Sequence, residues 1–252
     1  MALLQARMGS SRLPGKVLMD LEGKSVLERC VERVSRAASV TQTIIATTED
    51  QADNAIAQLC SIRSWPCFRG SEHDVLDRFY HAARCYAADY IVRITCDCPF
   101  IDPSLIDRIV HETVTNQAID YACTANYPRG LDTEVIRFEA LEKAWQQDKN
   151  SEWRQHVTPY FYHHPEMFTG HYSCHSDDLS ALRWTLDTPA DYEFIRAIYT
   201  QFSDVDFHWQ DVLALVQARP ELAQINRLIE QKDGSLRRVE KSAYEYWMQK
   251  AG

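Results

Sequence analysis

The chain has 252 residues, with 36 acidic side chains against 27 basic ones and a formal net charge of −9. That balance excludes a protein whose main business is coating nucleic acid, while leaving room for a local cationic pocket. A hydrophobic share of 45% and a charged share of 25% are ordinary for a folded chain with a substantial core, and no run approaches the roughly 18 apolar residues of a membrane span.

The length suits one large domain. The first apolar run is too short for a signal peptide. A cytoplasmic protein with no membrane partner and no nucleic-acid partner is therefore expected. Eight cysteines are present without a CxxC pair, so free thiols are expected, with a Cys/His zinc site as the weaker alternative.

Ala2-Leu3-Leu4 reads as a buried strand that runs into a loop, residues 5–16. This loop holds Gly9, Gly15, Ser10, Ser11, Pro14 and the cations Arg7, Arg12 and Lys16. Exposed backbone N–H groups beside Arg and Lys make a site for a polyanion, most often a phosphate chain. It is not a Walker A loop: five residues separate Gly9 from Gly15 where that motif has four, and Val17 replaces its Ser or Thr. A solvated loop with surface cations is the bland alternative.

Apolar spacing then predicts a helix over 23–38, a strand over 43–47 and a helix over 51–60 after the polar turn 47–50. A short strand at 66–68, a helix over 74–88 and the clear strand 90–95 follow. Asp102 before Pro103 caps a helix over 103–114, and 121–123 reads as a strand. Strands alternating with helices predict a mostly parallel, Rossmann-like α/β sheet covered on both faces. In such sheets ligands sit beyond the carboxyl ends of the strands, where the turns 5–16, 47–50, 69–71 and 97–102 all fall.

Residues 126–175 read differently, as an insertion carrying a substrate lobe or a dimer arm. It has a strand over 133–138, a helix over 139–147, a helix over 152–161 ended by Pro159 and a strand over 168–174. Its aromatic residues, Trp145, Trp153, Tyr160, Phe161 and Tyr162, suggest a homodimer. A return strand is expected over 182–187. Thr188, Pro189 and Asp191 then open a helix in a near capping box, and another helix covers 209–217. The main domain is taken as 1–228, and the charged stretch 229–252 as a linker or docking segment.

The stretch QARMGSSRLPGKVL resembles the N-terminal signature of the cytidylyltransferases that make CMP-activated acidic sugars, the CMP-KDO and CMP-acylneuraminate synthetase group. Its nearest branch is the spore coat polysaccharide biosynthesis protein F type. The resemblance implies a nucleotide-diphospho-sugar transferase-like fold and a loop that wraps the CTP triphosphate. It assigns Gln5, Ala6, Arg7, Gly9, Ser10, Arg12 and Lys16 to the nucleotide, with Lys16, Arg12 and Asp97 in catalysis. Asp97, at the tip of the strand 90–95, and Asp187, in RWTLDTP, resemble the two aspartates that hold Mg²⁺ in the family. Helix capping is the plainer alternative for each. Thr47, Thr48, Arg69, Gly70, Ser71 and Asp74 resemble the pyrimidine side of the site, although a plain helix N-terminus explains Ser71 as well. Arg129, Asp132, Glu134, Arg154 and His156 fall in segments that resemble the sugar side, with a surface role equally open for the cations.

The implied reaction moves CMP from CTP to a small sugar-acid acceptor and releases pyrophosphate. A sugar phosphate or phosphonate acceptor, or a nucleotide-sugar-dependent glycosyltransferase, is the alternative. Some members continue into an aminotransferase-like domain, so such a domain, fused or associated, is an expected partner. Lys16 and Arg12 are expected to act on the triphosphate and not on stability.

Overall fold

A computed structural model describes residues 1–202, 206–231 and 234–251. β1 (Ala2–Gln5) leads through the cationic loop and a 3-10 turn at Lys16–Leu18 into α1 (Val26–Ser35). β2 (Thr43–Thr48), a 3-10 turn at Gln51–Asp53 and α2 (Asn54–Arg63) follow. β3 (Cys67–Gly70), α3 (Val75–Cys85), β4 (Tyr90–Thr95) and α4 (Pro103–Thr115) complete the first half. Side chains set the helix starts. Ser25 and Glu28 cap α1 reciprocally, which moves its start from the expected residue 23 to Val26. Asp102 caps α4, and Pro103 occupies its first turn as expected.

The second half holds β5 (Tyr121–Ala125), β6 (Glu134–Arg137), α5 (Phe138–Gln147), α6 (Ser151–His156), α7 (Pro159–His163) and β7 (Gly170–Cys174). The helices α8 (Pro189–Tyr199), α9 (Trp209–Ala218), α10 (Pro220–Gln224) and α11 (Gly234–Ala251) follow. The seven strands make one sheet in the order β3-β2-β1-β4-β6-β5-β7. β1, β2, β3 and β4 run parallel, β6 runs antiparallel to both its neighbours, and β7 is parallel to β5. The sheet is thus mostly parallel, as expected.

Helices cover both faces. Val26, Leu27, Ile106, Phe194 and Val212 pack with Leu4, Ile45 and Ile94 on one side. Leu76, Phe79, Leu141 and Phe161 pack with Leu3, Ile44 and Ile91 on the other. Successive residues of a strand face opposite cores, so β1 and β4 read as nearly unbroken apolar runs.

Four expectations change. Residues 126–175 do not stand apart from the sheet, because β6 lies between β4 and β5 and β7 closes one edge. Its aromatics Tyr160, Phe161 and Tyr162 are buried within this chain, so they no longer argue for a second copy. Pro159 opens α7 instead of ending a helix, because Pro is tolerated at a first turn and Val157, at φ 70°, breaks the helix before it. Residues 182–187 form no strand beyond an isolated bridge from Arg183 to Arg129; a few backbone bonds to Arg129 and Asp97, together with side-chain bonds, hold the segment. The C-terminal segment docks. The Trp247 indole donates to the carbonyls of Pro165 (3.0 Å) and Phe168 (2.9 Å). It lies flat on Gly170, where any Cβ would come within 2.0 Å of the ring. The charged run remains untested: the side chains of Arg237, Arg238, Glu240 and Lys241, with Lys232 and Asp233, lie outside the described residues.

Every cysteine is a free thiol. Among the described residues no group of three or more His, Cys, Asp or Glu could hold a metal, so the zinc alternative has no support. No helix among them is long and apolar enough to cross a membrane.

Candidate active site

Because β1 to β4 run parallel, the turns after them open on one edge of the sheet. The strand order reverses at β1, which has β2 on one side and β4 on the other. That switch point is where such sheets bind ligands, and the loop 5–16 leaves β1 there. Ala6 is buried beneath it. The Gln5 amide oxygen accepts from Arg93 Nη2 (3.2 Å). Met8 N donates to Asp53 (2.6 Å), and Gly15 N donates to the Met8 carbonyl (3.0 Å). Ser10 Oγ accepts from Leu13 N (3.3 Å), so this hydroxyl shapes the loop. Gly9 lies against Glu72, which pairs with Arg7 at 3.5 Å. Arg7 stays 47% exposed and open to an anionic ligand.

Lys16 turns inward. Its ammonium donates to Asp97 Oδ2 (2.9 Å), Asp187 Oδ1 (2.9 Å) and the Leu186 carbonyl (2.7 Å), which uses its three protons. Arg12 pairs with Asp187 Oδ2 at 2.8 Å. The two aspartates are ninety positions apart in the sequence, yet they meet on one cation. Backbone bonds stitch their segments together: Leu186 N donates to the Asp97 carbonyl (2.7 Å), and Thr185 Oγ1 donates to the same oxygen (3.2 Å). The expectation that Lys16 acts on a ligand alone is therefore revised, since it already neutralises two carboxylates that would otherwise repel.

Burial pushes the Asp97 carboxyl up, but the Lys16 ammonium, its hydrogen bond and those of Thr95 and Cys98 prevail and hold it down to about 2. Burial likewise works against the Lys16 charge, and the two aspartates override it, so the ammonium holds its proton more tightly than usual. Burial and the charges of Asp97 and Asp132 push the Cys98 thiol up, and it donates to Asp97 Oδ1 (3.5 Å).

Asp187 is positioned by a bracket. Arg183 donates Nε and Nη2 to the two oxygens of buried Asp191 (2.8 and 2.9 Å). Asp191 Oδ2 also accepts from the backbone N–H groups of Asp187 (3.0 Å) and Thr188 (2.9 Å). Asn226 Nδ2 donates to Asp191 Oδ1 and to the Arg183 carbonyl, both at 3.0 Å. Burial raises the Asp191 carboxyl, but its bonds from Arg183, Asn226 and Thr188 dominate and hold it below its ordinary value. Arg183, Asn226 and Asp53 were not singled out from the sequence. The Thr188–Asp191 capping box was legible, and an arginine eight residues before Asp191 was a usable hint. Asn226 gave no local signal.

The expected pyrimidine-side residues lie at the carboxyl ends of β2 and β3 and in the turn after β3. Thr47 and Thr48 are fully buried. The Thr48 hydroxyl is bound to Asp53, whereas the Thr47 hydroxyl has no partner among the described residues. Arg69 clamps the turn after β2, donating to the carbonyls of Thr48 (2.8 Å) and Asp50 (2.9 Å) and to Asn54 (2.8 Å). Gly70 packs against Arg78, and Ser71 Oγ accepts from Asp74 N (3.0 Å). Asp74 caps α3 and accepts from Arg154 Nε (2.7 Å). Arg154 also donates to the carbonyls of Trp145 and Asp148, so in this state it braces α6 against α3.

On the expected sugar side, Arg129 and Asp132 pair at 3.1 Å at the rim. Their loop is zipped to 182–184: Arg129 N donates to the Leu182 carbonyl, and Trp184 N to that of Arg129. Gly130, at φ 110°, would place a Cβ 2.7 Å from the Trp184 carbonyl, so only glycine fits. Glu134 faces Arg93 across β4 and β6 and accepts from the Tyr121 hydroxyl (2.7 Å). Burial and then the Arg93 charge lower the pKa of His156, at the end of α6. Arg129 is thus zipped to the segment that leads to Asp187, and Asp132 is near enough to Cys98 for its charge to act there, while Arg154 is tied to α3.

Residues 1–233 match the cytidylyltransferase family model. The chain is 33% identical over 237 residues to the spore coat polysaccharide biosynthesis protein SpsF of Bacillus subtilis, covering 88% of this chain and 95% of that one. Over 119 residues it is 34% identical to the 3-deoxy-manno-octulosonate cytidylyltransferase of Trichlorobacter lovleyi, covering 47% and 46% of the two chains. A solved cytidylyltransferase structure from Leptospira borgpetersenii superposes with a TM-score of 0.86 at 31% identity, over 91% of this chain and 98% of that one.

Proposed function

This chain belongs to the cytidylyltransferase family, and from that premise we propose that it transfers CMP from CTP to an acidic sugar and releases pyrophosphate. The observation that carries this reading is the meeting of the cationic loop with Asp97 and Asp187 at the switch point of the sheet. The acceptor class is supported by the resemblance to makers of CMP-activated acidic sugars and by the Arg129 cation at the rim. The polysaccharide named for the Bacillus relative supports a role in surface polysaccharide synthesis.

In this proposal Arg7, Arg12 and Lys16 bind the triphosphate, and the acceptor oxygen attacks the α-phosphate in line while pyrophosphate leaves. Asp97, held down to about 2, is far too weak a base to take the acceptor proton at neutral pH. Its part is electrostatic. The two carboxylates fit Mg²⁺, which takes one or two protein carboxylates and completes its shell with phosphate oxygens and water. When bound there, the ion neutralises charge developing on the phosphates. Thr47, whose buried hydroxyl has no partner among the described residues, is assigned to the base side on the family resemblance. A homodimer and an aminotransferase-like domain, fused or associated, enter the same proposal on the family resemblance.

The test is pyrophosphate release with each of CTP, UTP, ATP and GTP, Mg²⁺, and panels of sugar acids and sugar phosphates. Release with CTP and a sugar acid is expected. A purine preference, or turnover with sugar phosphates only, would overturn the assignment.

A further inference from the structure

We infer that Lys16 is a built-in substitute for the metal: in the nucleotide-free protein its ammonium holds the two aspartates against divalent ions, and a triphosphate draws it away. This inference rests on the nucleotidyl-transfer reading above and adds an order of events to it.

The oxygens a metal would need are already taken. Lys16 occupies Asp97 Oδ2 and Asp187 Oδ1, while Arg12 and Arg183 reach Asp187 Oδ2. Asp97 Oδ1 accepts from the weak donor Cys98 at 3.5 Å. A divalent ion entering this pair would meet a positive charge hydrogen-bonded to both carboxylates, in a spot where the Lys16 side chain is only 11% exposed. Screening by water is weak there, so the two cations exclude each other.

The same residue has a reason to leave. A triphosphate brings several negative charges, and a lysine is a compact charge on a flexible four-carbon stem. Swinging Nζ from the carboxylates to a phosphate oxygen releases one oxygen of each aspartate at the moment the phosphates arrive. Metal and nucleotide are thereby coupled. Each raises the affinity for the other by the same factor, because both depend on the same displacement of Lys16. Arg183, which also reaches the opposite oxygen of Asp187 (3.4 Å), keeps that carboxylate compensated during the exchange.

Mn²⁺ is the probe, counted as free ion by electron paramagnetic resonance, with the full chain and no nucleotide. Lys16→Met is expected to bind Mn²⁺ at least tenfold more tightly than the wild type, and Lys16→Met with Asp97→Asn should lose that gain. Mn²⁺ should raise the melting temperature of Lys16→Met and leave the wild type nearly unchanged. Lys16→Gln, neutral but still hydrogen-bonding, gives the same comparison where the methionine variant does not fold. Equal Mn²⁺ affinity in the wild type and the folded neutral variant would overturn the inference, as would a gain that survives Asp97→Asn. Failure of the nucleotidyl-transfer reading shows elsewhere, as a wild type that neither binds CTP nor releases pyrophosphate.

Discussion

Asp97 and Asp187 reach the same ammonium by different means. Asp97 is delivered by the sheet: Gln5 and Thr95 are in register on β1 and β4, and Cys96 N bonds the Gln5 carbonyl (3.0 Å), one residue before the carboxylate. Asp187 follows no strand. Beyond the Leu186 N–H on the Asp97 carbonyl, it is delivered by Arg183, Asp191, Thr188 and Asn226 acting on one another. Backbone placement depends little on which side chains surround it. A side-chain bracket depends on every member.

The largest expected effect breaks the bracket. Arg183→Met would leave Asp191, which is fully buried, as an uncompensated charge. Urea denaturation should show a loss of about 3–5 kcal/mol, with turnover falling as Asp187 shifts. A variant as stable as the wild type would mean that the bracket does not hold that segment. Next come the carboxylates themselves. Asp97→Asn and Asp187→Asn should each keep the circular dichroism spectrum and lose at least about 100-fold in pyrophosphate release. Retained turnover in either one would show that the two sides of the site are not equivalent.

Smaller effects sharpen the contrast. Asn226→Ala removes two hydrogen bonds from buried acceptors and should cost about 1–3 kcal/mol. Thr95→Ala, on the sheet-delivered side, should cost about 1 kcal/mol or less. Equal costs would erase the distinction drawn here. The smallest effect is on acid stability. Both Asp97 and Asp191 titrate below their ordinary 3.8 in the folded protein. Depressed carboxyl values stabilise the fold fully above 3.8 and lose that contribution as pH falls toward about 2 for Asp97. The urea midpoint should therefore drop between about pH 4 and pH 2, and less so in Asp191→Asn. An unchanged midpoint in the wild type would contradict it.

The same contrast explains what was legible. Every strand and α-helix of the parallel half was readable, though the two 3-10 turns were not, because buried strands and amphipathic helices carry their periods locally. Asp102 caps its helix through the Ser104 N–H two residues on, and such a signal lies in the sequence itself. Asp97 stood out as a carboxylate at a strand tip. The segment 182–187 misled, because Arg183-Trp184-Thr185-Leu186 has the alternation of a strand, while its actual hold is the zipper to Arg129 and the bond to Asn226. Residues 126–175 misled for a related reason. Whether a strand joins the main sheet depends on which edge accepts it, and β6 enters between β4 and β5 by pairing Glu134 with Arg93.

The sequence by itself determined the α/β class, the order of the first four strands and helices, the cationic loop and the family whose signature that loop carries. These are local patterns, written within a few residues of each other. The tertiary structure alone decided that Lys16 lies between Asp97 and Asp187, that Asp191 and Asn226 hold the second carboxylate, and that β6 and β7 belong to the sheet. Each of those facts joins residues that are far apart in the chain. Their partners are chosen by the closing of the fold, which no local pattern encodes.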